Sequence, residues 1–355
     1  MPRRLTITTA IATLIGALAF GVIPQPVAAQ GCEPIRFTTP VNLGGQGQAY
    51  QPGNEWQLTL AYRRLVSNQW FVDTQDQSTR APGGQSPVVK IHSILAEVAY
   101  SFSDRYNLRL SVPLSIGSSA RRWPDGAVHA QKATGIGDAS LLGEAWLLAP
   151  RTHPGGNVSL GIGVKAPTGS HDVGSKVYTA TGSIAWPAGQ EIQPGDGGWG
   201  VMLQSQAFRQ ISANAFGYAS GFYLISPKAR TDVRLSPTNP TYISVPDVYS
   251  ARLGGAFAVL PDQGLTMSLG GRVDGIPVHD LVGGGDESTI KRTSLILYAD
   301  PGLSLTRGNG TFTLSVPYRL HANRVKSELE QRQPTLLNGG GFARYLVFAS
   351  YMHRL

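Results

Sequence analysis

The stretch Asn157-Val-Ser-Leu-Gly-Ile-Gly-Val-Lys165 places an apolar residue at every second position, with Ser, Gly and Lys on the other parity. This alternation is typical of a β-strand with one apolar and one polar face. It recurs at 56–63, 108–116, 265–272 and 312–321. Less regular strands are predicted at 91–102, 138–149, 198–208, 214–225, 248–259, 292–306 and 343–354. This makes about twelve strands, most of them near the length of about 9–11 residues that crosses a membrane when tilted.

The connections between these strands alternate between short and long. The short ones are 103–104, 150–155, 210–213, 260–263 and 307–310, and the long ones are 67–90, 118–137, 166–197, 226–247, 274–291 and 322–342. Short turns on one side and long loops on the other are the topology of an outer-membrane barrel. Since hydrocarbon does not tolerate an open sheet edge, the sheet must close. The predicted fold class is all-β: a closed antiparallel transmembrane β-barrel of about twelve strands, with short periplasmic turns and long extracellular loops.

The N-terminus has the layout of a secretory signal peptide. Arg3 and Arg4 precede an apolar run from Ile11 to Ile23, and small residues follow up to Gln30. The run is too short to span a bilayer as a helix. We therefore predict a signal peptide at 1–30, a periplasmic tail or lumen plug at 31–53, and an outer-membrane β-barrel at 54–355. Cys32, the only cysteine, excludes an intramolecular disulfide and a Cys-based metal cluster.

The composition fits a strand-rich, ordered chain. Charged residues make up 15%, against about a quarter in an average protein, while Gly accounts for 43 of 355 residues. The net charge is +8, but the basic residues are scattered rather than clustered in a stripe. The sequence therefore does not predict a nucleic-acid partner.

Charged residues at the strand positions that alternate with the apolar ones are predicted to line the lumen. The candidates are Glu97, Arg109, Glu144, Lys165, Arg252, Arg272, Arg319 and Arg344. Six bases against two acids would focus anions. The alternative is that the acids pair with neighbouring arginines and hold a filled barrel together. Two prolines on this parity, Pro113 and Pro317, are predicted near strand ends or bulges, because proline cannot donate to the ladder.

Several motifs, in this order, resemble the phenol-degradation meta-pathway family of outer-membrane transporters. They are Gly135-Ile-Gly-Asp138, Leu160-Gly-Ile-Gly-Val-Lys-Ala-Pro-Thr-Gly169, Gln193-Pro-Gly-Asp-Gly-Gly-Trp-Gly200, Tyr298-Ala-Asp-Pro-Gly-Leu303 and Leu314-Ser-Val-Pro317. The resemblance extends from about residue 95 to the C-terminus. It implies an outer-membrane barrel connected with the uptake of hydrophobic aromatic compounds. The chain departs from the common pattern at its end, where Leu355 replaces the usual aromatic residue.

The sequence shows no catalytic, cofactor or metal motif of the HExxH, GxSxG, Walker or dinucleotide type. We expect no enzyme, no cofactor and no metal, with outer-membrane lipid and a small solute as partners. Three hypotheses remain open: a channel or transporter for small molecules, a structural or adhesive surface barrel with partner-binding loops, and a soluble periplasmic β-protein. A weaker fourth is a barrel hydrolase that pairs His321 with Ser315 or Ser294.

Overall fold

The computed structural model describes residues 50–77, 87–237, 239–283, 288–324, 326–333 and 339–355. The predicted signal peptide, Cys32 and residues 31–49 lie outside these ranges. The strands are β1 (Glu55–Val72), β2 (Gln75–Asp76), β3 (Val88–Ser101), β4 (Tyr106–Arg122), β5 (Val128–Ile136), β6 (Ser140–Trp146), β7 (Gly156–Lys165), β8 (Gly174–Thr179), β9 (Gly182–Pro187), β10 (Gly200–Gln210), β11 (Ala215–Ile225), β12 (Arg230–Ser236), β13 (Asn239–Ser244), β14 (Val248–Leu260), β15 (Leu265–Ile276), β16 (Thr289–Ile290), β17 (Ser294–Arg307), β18 (Gly310–Ser315), β19 (Tyr318–Asn323) and β20 (Gly340–Arg354). The described residues include one short α-helix, α1 (Glu328–Arg332), and 3-10 turns at Pro150–Thr152, Gln190–Ile192 and Pro261–Gln263.

The main sheet closes on itself as a twelve-stranded antiparallel barrel, which confirms the predicted fold class. Neighbouring strands follow chain order, and β20 pairs with β1 from Gln57↔Arg354 to Phe71↔Gly340. Two barrel strands are interrupted: β5 and β6 together form the fourth, and β18 and β19 form the eleventh. The path of paired strands thus returns from β20 to β1, the closure that a bilayer requires of a sheet.

The alternation in the sequence sorts side chains between the two faces of this barrel. On β4, Leu108, Leu110 and Leu114 are exposed on the outer surface, whereas Ser111 is 7% exposed on the inner one. An apolar exterior and a polar interior are the pattern of a barrel in lipid. Closure of the sheet and its apolar outer face agree with the predicted location in the outer membrane. None of the helices in the described ranges is long and apolar enough to cross a bilayer.

The structure extends strands into segments that we predicted as loops. β1 has 18 residues and β4 has 17, and β4 and β5 form a hairpin across most of 118–137. The β8–β9 hairpin lies in 166–197, and β12 and β13 pair in 226–247. Beyond the apolar band both faces of a hairpin meet water, so the amphipathic alternation fades although the backbone ladder continues.

The fourth barrel strand reverses its facing where it is interrupted. In β5 the buried side chains have odd numbers, such as Gln131 and Ala133, and in β6 they have even numbers, such as Leu142 and Glu144. Here β4 changes partner, from β6 at Ser111 to β5 at Leu114, and Pro113 lies between these two positions. Pro113 therefore lies inside β4 rather than near its end, but at a break in the ladder, which is the other position predicted for it. It is tolerated inside β4 because the ladder is broken on one side at this point.

Pro317 does lie at a break, between β18 and β19. Because of this second interruption, β20 pairs with β19 at Tyr345 and with β18 from Phe348 to His353.

The main apolar cluster lies inside the barrel, toward the end with the long loops. Strands from several sides contribute to it, including Leu65, Ile91, Ile296, Tyr298 and Leu346. Ala188 and Ile192, from the connection between β9 and β10, pack into the same cluster. The lumen is therefore partly filled at this end by an apolar core.

Candidate functional site: a loop-capped cavity in the barrel lumen

Four of the six predicted lumen bases lie in ion pairs with buried acids. Arg109 is within 3.5 Å of Glu97 and 3.0 Å of Glu144, and the side chains of both acids are nearly fully buried. Ser111 donates to Glu97 at 2.9 Å, and Ser159 and Gln206 donate to Glu144. These contacts fit the alternative in which the two glutamates pair with a neighbouring arginine.

Two further bases pair with acids that sequence reasoning missed. The Arg252 guanidinium lies 2.6 Å from the Asp300 carboxylate, and Arg272 lies 2.8 Å from Asp274. Asp274 follows Arg272 by two residues and therefore shares its face, a signal that was available in the sequence. Asp300 stands in the Tyr298-Ala-Asp-Pro-Gly motif, whose spacing gives no hint of its partner on β14.

Lys165 is fully buried and lies between two aspartates. Its Nζ is 3.2 Å from Asp138 Oδ2 and also contacts Asp196 Oδ1. Asp138 accepts from the backbone N–H of Gly169 at 3.0 Å and of Asp196 at 3.1 Å. Thr168 Oγ1 donates to the carbonyl of Gly137 at 2.9 Å.

Three of the sequence motifs thus meet in one place, around Asp138, Lys165 and Asp196. We call these three residues the loop anchor, because they tie both ends of the 166–199 connection to the gap between β5 and β6. The glycines of the motifs permit this close approach. A Cβ at Gly169 would lie 2.8 Å from Gly137 and 2.9 Å from Gly195.

The last two predicted lining residues differ from the rest. Arg319 contacts the Ala343 carbonyl at 3.0 Å and Gln69 Oε1 at 2.5 Å, and its guanidinium lies 4.6 Å from the Phe71 ring centre. Arg344 is exposed at a β-bulge, since Leu346 pairs with Leu65 but Ala343 pairs with Ser67.

The bulge removes Arg344 from the lumen. Two residues, Arg344 and Tyr345, stand opposite Val66 alone, and both are exposed, while Ala343 and Leu346 on either side are buried inward. The prediction that Arg344 points inward was wrong, because the bulge breaks the alternation there.

The connection between β9 and β10 enters the barrel at residues 188–196, which we call the inward loop. Ile192 is 1% exposed and Gln193 is 2% exposed. Gln193 donates to the Ala188 carbonyl at 2.9 Å and accepts from the Val173 N–H at 2.9 Å. The loop approaches β4 so closely that a Cβ at Gly117 would lie 2.7 Å from Ile192 Cβ.

A second ion pair joins the inward loop to another extracellular connection. Glu191 lies 2.8 Å from Arg292 and accepts from Ser119 at 3.1 Å. Burial alone would raise the pKa of the Glu191 carboxyl, but Arg292 and these hydrogen bonds hold it below the usual value of 4.5. Glu191 is therefore ionised at neutral pH and keeps the loop attached.

Beside the inward loop lies a cavity of about 110 Å³. Its apolar lining comes from both the barrel wall and the loops and includes Ile91, Pro113, Pro194, Leu224, Ile243 and Ile276. Its polar lining includes Arg63, Ser93, Gln190, Glu191, Asp196 and Arg292. Apolar and polar residues thus contribute equally to the lining, and convergent polar groups beside apolar surface are a feature of small-molecule sites.

Most residues of this cavity could not be predicted as site residues. Arg63 shares the parity of the lumen side, but Leu224 and Ile276 belong to strands whose ends looked like ordinary apolar β-structure. Their inward direction depends on where each strand meets its neighbour.

The proposed hydrolase pair is not assembled. His321 is exposed, whereas Ser315 is buried and donates to Asp300. Ser294 is fully buried on the inner face of β17. Among the described residues no cluster of His, Cys, Asp or Glu could hold a metal ion.

The end of the segment before β1 lies at the short-turn mouth of the barrel. The Tyr50 ring packs edge-on against Trp146 at 5.0 Å and Phe208 at 5.4 Å between ring centres, and its hydroxyl donates to the His153 carbonyl at 2.6 Å. The division of the segment into tail or plug stays a prediction, since residues 31–49 are not among the described ones.

Comparison with known proteins gives structural similarity without sequence similarity. No family model matches the chain, and a search of curated proteins gives no match either. An outer-membrane channel from Pseudomonas putida F1 has a TM-score of 0.60, covering 90% of this chain and 100% of that one at 12% identity.

Two other solved barrels are less similar. A FadL homologue from Pseudomonas aeruginosa has a TM-score of 0.42 at 10% identity, covering 92% of this chain and 98% of that one. The β-domain of the Bordetella autotransporter BrkA has a TM-score of 0.41 at 13% identity, covering 86% and 100%. We draw nothing from these two. The comparison with the Pseudomonas putida protein establishes the fold alone: this chain shares the fold of that protein, and here the barrel has twelve strands.

Proposed function

We propose that the barrel carries small, largely apolar molecules across the outer membrane by way of the loop-capped cavity. The cavity supports this best, because both the wall side and the loop side contribute apolar residues to it and it lies within the lumen. Three inward arginines, Arg109, Arg252 and Arg272, each pair with a buried acid, and such pairs favour neither a hydrated ion path nor one sign of ion.

The size of the cavity limits the solute. A cavity of about 150 Å³ holds benzene in another protein, and this one measures about 110 Å³. A monoaromatic solute therefore needs a small displacement of the inward loop, which is held by ion pairs rather than by a β-ladder. The sequence resemblance to transporters of aromatic compounds favours the same class of solute, although membership of that family stays a prediction.

A direct test is toluene binding to the refolded protein in detergent micelles. The variant Leu224→Trp adds a large ring at a cavity-lining position that is 1% exposed. We expect it to weaken binding by at least about tenfold, or about 1.4 kcal/mol. Leu253→Trp, on the outer surface at 69% exposed, is the matched control and should bind like the wild type. Equal binding by all three proteins, or none by the wild type, would overturn the proposal.

One observation favours a second candidate, a structural or adhesive surface barrel. The apolar cluster fills the lumen from several strands, with Phe342 and Ile296 fully buried. A barrel that neither binds toluene nor conducts ions would fit this candidate.

A further inference from the structure

Three basic residues form a group on the outer surface of the barrel, at the end that carries the long loops. They are Arg64 on β1, Lys90 on β3 and Arg344 on β20, which we call the outer basic cluster. These three strands are neighbours, since β1 pairs with both β3 and β20. Lys90 stands opposite Val66, and the bulge with Arg344 faces Val66 from the other side.

The strand register places the charged ends of the Arg64, Lys90 and Arg344 side chains close together. Strands lie about 4.8 Å apart, so β20 and β3, on either side of β1, are separated by about 10 Å. Arg64 lies between them, two residues before Val66 on the same face of β1. Long Lys and Arg side chains can therefore converge on one ligand of moderate size.

The height of the cluster matches the upper boundary of the apolar band. Trp56 and Tyr100 mark the lower boundary, where their rings lie 4.7 Å apart. Lys90 precedes Tyr100 by ten residues on β3. At about 3.3 Å per residue and a tilt of about 40°, this corresponds to about 25 Å along the membrane normal, the height of the lipid-facing band.

No acid offsets these charges on the outer wall. The outward positions of β1, β3 and β20 between the two boundaries carry no Asp or Glu. In the described part of the chain, Lys90 and Arg344 are exposed and form no ion pair with a carboxylate. On β7, β11, β14 and β15 the outward positions carry no Lys or Arg. Other exposed bases of the barrel strands include Lys132 on β5, and Arg209 and Arg307 at the short-turn end.

We infer that the outer basic cluster binds the phosphorylated head group of a glycolipid of the outer leaflet. Phosphates carry the complementary charge, and the apolar wall directly below, with Ile94 and Leu60 exposed, receives the acyl chains. Arg in particular offers several donors to phosphate oxygens. The ligand is thus a lipid-linked phosphate, held by its head group above the chain-binding wall.

The experiment is native mass spectrometry of the full-length refolded protein in detergent, titrated with bisphosphorylated lipid A. The test variant is Arg64→Gln/Lys90→Gln/Arg344→Gln. The control is Arg151→Gln/Arg209→Gln/Arg307→Gln, which removes three exposed bases at the short-turn end. A difference in gel migration between the unheated and the heated protein shows that each barrel has folded.

We expect lipid A to bind the wild type and the control alike, and the test variant at least about tenfold more weakly. Dephosphorylated lipid A should bind all three equally weakly. Equal lipid A binding by the test variant and the wild type would overturn the inference. Displacement of lipid A by equimolar inorganic phosphate would also overturn it, because the cluster would then be a site for free anions. Toluene binding is independent of these results, so the two proposals succeed or fail separately.

Discussion

At the scale of single residues, Gly117 decides whether the inward loop can reach the wall. A Cβ there would meet Ile192 Cβ at 2.7 Å and the Ile192 carbonyl oxygen at 2.9 Å. We expect Gly117→Val to push the loop away and to lower the free energy of unfolding by about 1–3 kcal/mol, the usual range for overpacking. Planar-bilayer conductance should rise, because the displaced loop no longer fills the lumen.

Gly271 provides the matched control. It lies on β15 in another part of the wall, and a Cβ there would have no neighbour within 4 Å. Gly271→Val should leave both conductance and denaturant stability unchanged. If Gly117→Val behaves like this control, the inward loop is not what limits conductance through the lumen.

At the scale of elements, the loop anchor holds the 166–199 connection to the barrel through Asp138. Asp138→Asn keeps the shape of the side chain but removes the charge that pairs with buried Lys165. Because Lys165 keeps its contact with Asp196, only one of its two charged partners is lost. We therefore expect a loss of about 1.5–3 kcal/mol in the free energy of unfolding, the range for a hydrogen bond to a charged group. The loop should also become sensitive to limited proteolysis, which mass spectrometry of the fragments would locate.

An exposed pair of the same chemical type supplies the comparison. Asp104 lies 3.3 Å from Arg151, whose side chain is 90% exposed. Asp104→Asn should change the free energy of unfolding by less than about 1 kcal/mol, because solvent screens this pair. Similar losses in both variants would show that burial of the anchor contributes little.

At the scale of the whole molecule, the pairing of inward charges predicts weak ion selectivity. The six bases predicted to face inward would favour anions, but Arg344 lies outside the lumen and Arg109, Arg252 and Arg272 each lie against a buried acid. The reversal potential of the Gly117→Val variant under a salt gradient should therefore lie near zero. Adding Glu144→Gln should shift it toward anions, since Arg109 then keeps only Glu97. Strong anion selectivity of the Gly117→Val variant without Glu144→Gln would contradict the pairing of the inward arginines with buried acids.

The barrel fold could be predicted from the amino-acid sequence. Which residues face lipid depends on the local contrast between neighbours along a strand, and this contrast is visible in segments such as 108–116 and 157–165. The alternation of short and long connections then followed from the spacing of those segments. These features need no knowledge of which strand lies beside which, so the strand count and the closed topology could be predicted.

The cavity and the contacts around it depend on how distant segments pack together. Glu191 and Arg292 are 101 residues apart in the chain, and their pairing depends on two loops that meet above the lumen. The reversal between β5 and β6 and the bulge at Arg344 both break the alternation from which facing was predicted. A shift of one residue exchanges the two faces of a strand, and cross-strand pairing, not local pattern, fixes that register. For this reason the anchor, the inward loop and the cavity appear only once the strands and loops are packed together.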